Sequence, residues 1–190
     1  MVDQGHFPID IGHYLREKPR SKIVTGKKAA PSWLDYQPSG RRLDIEVFPF
    51  DNLRQRGTPA QIATAHRYSF YMLICVSEGA VTQLIDFEPV ACRPGSLLVI
   101  HPGQVHSFGD GSGWEGWLVF FRPEFLPLVS ETASGLLPTF SLDRITDHLT
   151  LSDVEFDAVT ECIARMSHDT MNKAAAETLH ALLRHQLCAL

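Results

Sequence analysis

The chain has 190 residues, is 44% hydrophobic and 21% charged, and carries a net charge of -5 with a pI near 6.0. That is the make-up of an ordinary soluble domain with a real core, or of one domain plus a small appendage. It argues against a basic face that grips nucleic acid, since no dense Lys/Arg run follows Lys28 except the pair Arg41-Arg42.

The four cysteines, Cys75, Cys92, Cys162 and Cys188, have no C-x-x-C spacing. Three of them sit in apolar runs, so reduced core thiols in a cytoplasmic protein are expected. The N-terminus has no apolar signal region, and no apolar run is long enough to cross a bilayer. No membrane partner is expected.

Residues 1–40 lack periodicity and mix Gly5, Gly12, Gly26 and Gly40 with Pro8, Pro19, Pro31 and Pro38 around a basic segment. They predict an irregular arm. Two readings of it stand: an arm whose Trp33, Leu34 and Tyr36 fold back over the rest, and a loose terminus with incidental aromatics.

Residues 41–150 form the central unit. Leu43 to Phe48 alternates apolar with acidic residues, as a half-buried strand does. Asp51 to Thr64 reads as a loop. From His66 to Phe121, short β-branched and aromatic runs are separated by Gly, Pro and Asp turns, which predicts an antiparallel sandwich or barrel. Alternation places His66, Tyr68, Phe70, Met72, Ile74 and Val76 on one face of a single strand. Both faces turn apolar towards Val76, so that strand should be central and covered on both sides. Gly109 to Gly113 reads as a flexible hairpin loop, and 127–150 as a connector with a short strand around Phe140.

Residues 151–190 predict two helices. Ser152 and Glu155 have the spacing of a capping box, and Phe156, Val159, Ile163 and Met166 recur at helical spacing to about Ser167. A second helix is expected from about Asn172, with Ala176, Leu179, Leu183 and Leu190 in an apolar stripe flanked by Leu182 and Leu187. Such a stripe packs on its own domain or serves a partner helix.

For chemistry, His66 and His106 are the pair to weigh. Two imidazoles from neighbouring strands suit a transition metal, but His66 is followed on its own face only by Tyr68 and Met72. Hydrogen-bonded barrel or rim histidines fit better. No Gly-x-Ser-x-Gly elbow, phosphate-cradling glycine loop or activated cysteine is present, so no catalytic residue is assigned.

Gly95, His101-Pro102-Gly103 and His106 resemble the second cupin motif, while His66, Tyr68, Met72 and Gly79 stand where the first has His, His, Glu and Gly. A second histidine and the glutamate are thus replaced, so the resemblance itself implies no intact metal site. The longer series is similar to the N-terminal sensor domain of AraC-type transcription regulators. It comprises His66-Arg67-Tyr68, Phe70-Tyr71, Glu78-Gly79, Arg93-Pro94-Gly95, Pro102 to His106, and Trp117 to Leu126 with its Phe121-Arg122-Pro123-Glu124-Phe125-Leu126 ending.

That resemblance implies a mainly β fold, a cupin-like antiparallel jelly-roll barrel followed by two C-terminal helices. It implies a small-molecule effector bound by His66, Tyr68, Met72, Ile74, His106, Trp117 and Phe121, with no cofactor. It also implies a homodimer through Leu179, Leu183, Leu187 and Leu190, and DNA contact only through a helix-turn-helix domain expected to begin where this sequence stops. The alternative is a metal-dependent cupin enzyme, a dioxygenase or isomerase, in which His66 and His106 hold metal with an unorthodox third ligand.

Overall fold

A computed structural model of the protein describes residues 31–36, 43–126, 142, 147–171 and 174–190. The chain order is β1 (Ser32–Leu34), β2 (Ile45–Pro49), helices α1 (Phe50–Arg56) and α2 (Pro59–Ala63), then β3 (His66–Tyr68) and β4 (Tyr71–Gly79). There follow β5 (Val81–Ile85), β6 (Glu88–Cys92), β7 (Ser96–Ile100), β8 (Val105–Ser107) and β9 (Trp114–Phe121). The chain closes with β10 (His148–Thr150), α3 (Asp153–Thr170) and α4 (Ala176–Ala189).

The strands make two five-stranded sheets, in the orders β1-β3-β8-β5-β6 and β10-β7-β4-β9-β2. Every neighbouring pair is antiparallel except β1 with β3. Among the described residues no strand pairing joins the two sheets, so of the expected antiparallel sandwich or barrel the chain forms the two-sheet sandwich, followed by the two expected helices. Side chains from both sheets, including Tyr68, Ile85, Met72, Ile74, Leu98 and Phe120, share one buried cluster between them. A second cluster lies on the far side of the β4 sheet. There Leu73, Val99 and Val119 meet Val159, Ile163 and Met166 of α3 and Leu179, Leu183 and Leu187 of α4. The molecule is therefore three layers: sheet, sheet, helices.

The run from His66 to Val76 is not one strand. It bends at Ser69–Phe70, so that β3 belongs to one sheet and β4 to the other. The alternation survives the bend, because Tyr68, Phe70, Met72, Ile74 and Val76 all lie in the inner cluster. β4 is central, between β7 and β9, and covered on both faces as its composition requires. Beside it, a Cβ on Gly116 would stand 2.2 Å from the carbonyl oxygen of Cys75. Only glycine lets β9 approach there.

Three further expectations are corrected. Asp51 to Thr64 is not a plain loop: Thr58 caps α2 in a capping box with Gln61, with Pro59 in its first turn, and α1 buries Phe50 and Leu53 against the sandwich. Gly109 to Gly113 is no hairpin, since β8 and β9 lie in different sheets. β2 is buried on both faces and not half-buried: Ile45 and Val47 face the helices, while Phe48 and the buried Glu46 occupy the alternate, inward positions.

The helices follow their local signals. Ser152 and Glu155 form the expected capping box, and α3 runs three residues past Ser167. α4 starts at Ala176 and buries Leu179, Leu183 and Leu187. The connector contributes β10, which pairs with β7, whereas Phe140 lies outside the described residues. Most of the arm, 1–30 and 37–40, also lies outside them. Its segment 31–36 adds β1 to a sheet edge and buries Leu34 and Tyr36, with Trp33 exposed beneath the Arg67 guanidinium. No described helix is long and apolar enough to cross a membrane.

Candidate functional site

The inner layer is lined differently by its two walls. From the β4 sheet come Met72, Ile74, Leu98, Ile100, Leu118 and Phe120, all apolar and fully or nearly fully buried. From the other sheet come His66, Tyr68, Gln83 and His106, which bring polar atoms into the same space. Register explains the grouping. His66 stands opposite His106 on the β3–β8 pair, and Ile85 stands opposite His106 on the β5–β8 pair. Gln83, two residues before Ile85, therefore shares the inward face and reaches His106 diagonally across the strands.

Hydrogen bonds fix the imidazoles. His66 Nε2 lies 3.4 Å from the Gln61 carbonyl oxygen, which only accepts, so Nε2 carries the proton. The Ser32 hydroxyl then donates to Nδ1 at 2.9 Å. By the same logic His106 donates from Nε2 to Gln83 Oε1 at 2.7 Å, which leaves its Nδ1 a bare acceptor. That Nδ1 is buried without a partner, as are the Gln83 side-chain nitrogen and, elsewhere in the layer, Trp114 Nε1. His106 and Gln83 are both 0% exposed. Burial, helped by His66 alongside, pushes the His106 pKa down to about 3, so the ring is neutral at physiological pH. Burial likewise pushes the Tyr68 hydroxyl well above its usual range.

Aromatic rings frame these groups. Tyr68 lies 6.2 Å from His106 and 6.4 Å from His66, and Phe108 stands edge-on to His106 at 4.6 Å. The indole of Trp114 stacks on Phe50 of α1 at 3.9 Å. Two carbonyls at α2, those of Gln61 and Ala63, accept from His66 and Ser107, tying that helix to the polar wall.

Of the residues expected from sequence, the structure brings His66, Tyr68, Met72, Ile74 and His106 into one layer. Trp117 and Phe121 are on the other side of β9, packed in the helix-facing cluster, and the inward positions of that strand are Leu118 and Phe120. Leu179, Leu183 and Leu187 are 1%, 0% and 3% exposed within the chain's own core, and Leu190 packs beside them. The face of α4 that stays exposed carries Leu182, at 42%. Residues that sequence reasoning missed are Gln83, Ser32 and Trp114. Gln83 left at most a weak signal, an amide at the same strand parity as Val81 and Ile85.

Among the described residues no three of His, Cys, Asp and Glu are placed to hold a metal. An open depression of about 360 Å³ lies elsewhere, lined by Asp35, Tyr36, Asp44, Ser69, Arg122, Pro123 and Glu124. Its cation is engaged already: Arg122 donates to the Tyr36 carbonyl at 3.2 Å, faces Asp44 at 3.4 Å and covers the Tyr36 ring. What marks the inner layer as the stronger site is that two buried atoms without partners, His106 Nδ1 and the Gln83 nitrogen, belong to one bonded pair, and leaving each unpaired costs about 1–3 kcal/mol.

Residues 53–186 match the family described as the AraC-like ligand binding domain. A stretch of 39 residues is 44% identical to the arabinose operon regulatory protein of Salmonella typhimurium strain LT2, covering 19% of this chain and 14% of that protein. Among solved structures, the AraC-like transcriptional activator CuxR is 11% identical with a TM-score of 0.38, over 76% of this chain and 47% of that one. A conserved Streptococcus pyogenes protein of unknown function is 14% identical with a TM-score of 0.33, over 56% and 98%. Those two likenesses are too distant to carry an argument, and the assignment rests on the family match alone. Matched from α1 through most of α4, the chain belongs to the family of AraC-like ligand binding domains.

Proposed function

We propose that this chain is the effector-sensing and dimerisation part of an AraC-type transcription regulator of the cytoplasm, without catalytic activity. A small molecule binds between the sheets, held by His66, Tyr68 and His106 against Met72 and Ile74. DNA is contacted by a helix-turn-helix domain outside this sequence. Two copies pair through the exposed face of the C-terminal helices. Occupancy shifts the regulator between two arrangements by binding one more tightly than the other.

The observation that carries this reading is the polar wall itself. A sheet interior built only for stability would be apolar, whereas His106 and Gln83 are fully buried with polar atoms left over. A metal-dependent enzyme is the less favoured reading, since among the described residues no third His, Cys, Asp or Glu joins His66 and His106.

Native mass spectrometry of the purified chain, beside a denaturing spectrum, tests the reading. The expected result is a dimer free of metal and carrying a small organic adduct. Stoichiometric metal that disappears in His66→Ala and His106→Ala would overturn it in favour of the enzyme.

A further inference from the structure

We propose that the ligand taken by the inner layer is uncharged and carries both a hydrogen-bond donor and an acceptor, as alcohols, polyols and amides do, and is not a carboxylate. This rests on the sensor reading above and specifies the chemistry of the same site.

The polar wall presents a mixed array. His106 gives its proton to Gln83, so what it offers a ligand is the lone pair of Nδ1, which needs a donor. Gln83 has its oxygen occupied, so what it offers is N–H, which needs an acceptor. The two side chains are locked together by their own hydrogen bond, so the array is preorganised with one buried, unpartnered atom at each end.

A carboxylate is acceptor-only and cannot satisfy Nδ1. It would have to enter a site in which neither His106 nor Gln83 is bonded to any cation, and burying an uncompensated charge there is costly. Protonating His106 to receive it works against the burial that holds the ring neutral. An amide or hydroxyl meets both ends without charge. The surrounding Tyr68 and Phe108 rings supply apolar contact for the ligand's carbon skeleton.

The test uses the 190-residue chain labelled with ¹⁵N-histidine and two isosteric pairs of probes, benzamide with benzoate and glycolamide with glycolate. The free chain should show a neutral His106 whose Nδ1 is unprotonated. At least one amide should move that nitrogen towards a hydrogen-bonded acceptor and bind about tenfold or more tighter than its carboxylate twin. Gln83→Met, which keeps the volume but removes both the N–H and the oxygen that holds His106, should erase the preference. Tighter binding of the carboxylates at His106 overturns the ligand class and leaves the sensor site standing. If no probe moves His106, or if Nδ1 is already hydrogen-bonded to water in the free chain, both the ligand class and this placement of the site fall.

Discussion

The two faces of the β4 sheet make the most instructive contrast in the molecule. Outward, Leu73, Val99 and Val119 meet two amphipathic helices in a mainly apolar contact, in which Ser167 donates to the Val47 carbonyl. Inward, the same strands meet a wall that includes His66, Gln83 and His106, three side chains that a purely structural core would exclude. Both layers bury a large apolar cluster, and the inner one adds the His106–Gln83 pair, which leaves two neighbouring buried atoms without partners. Strand alternation lets a single sheet serve both, since each residue's parity decides its layer.

Truncation in the outer layer should have the largest effect. Leu183→Ala removes a fully buried side chain and is expected to cost about 3 kcal/mol in urea unfolding. Any ligand preference of the chain that remains folded should be unchanged. A cost under about 1 kcal/mol would mean that α4 is not packed as the contrast requires.

In the inner layer the effect should depend on whether one polar partner or both are removed. Gln83→Leu strands the His106 Nε2–H and should cost about 1–3 kcal/mol. Adding His106→Phe should recover most of that loss, a coupling that a double-mutant cycle reads directly. Additive losses would show that the pair is not a unit.

Acid sharpens the comparison further. Folding holds His106 at a pKa of about 3, below its ordinary 6.5, so the unfolded chain binds the extra proton between those values. Its contribution is fully present above pH 6.5 and is lost as pH falls towards 3. The slope from this one group is at most about 1.4 kcal/mol per pH unit. Unfolding free energies at pH 7 and 5 should therefore differ less in His106→Phe than in the parent chain. Equal differences would place a proton or a polar partner on that ring in the folded state.

The smallest effect should come from outside both layers. In the β5–β6 turn, Asp86 and Phe87 have φ of 49° and 72°, a conformation that a bulky side chain adopts at a cost. Phe87 is also exposed, so Phe87→Gly removes little packing and should raise stability by about 0.5 kcal/mol. A loss in thermal unfolding would mean that the ring stabilises the turn by contact.

Much of this was legible in the sequence where the signal is local. The Ser152–Glu155 capping box, the helical spacing of Val159, Ile163 and Met166, and the alternation from Tyr68 to Val76 depend on neighbours a few residues apart. Each appears as expected. His66 and His106 were singled out by type and spacing, and the register sets them side by side. Trp117 and Phe121 were misplaced because every position from Trp117 to Phe121 is apolar or aromatic. With both faces of the strand apolar, sequence gives no parity, and the helices packed against the outer face decide it.

What the sequence determined by itself was the strand-rich class, the helix caps and the resemblance to one family, all carried by short-range pattern. Only the tertiary structure decided that the chain bends at Ser69 to divide one run between two sheets. It also decided that Gln83 and Ser32 are the partners of the histidines, and that α1 and α2 bury Phe50 and Ile62 against the sandwich. The reason is separation along the chain. Gln83 is 23 residues from His106 and Ser32 is 34 from His66. Partners so far apart are chosen by sheet register, which arises when both strands bury their apolar faces at once.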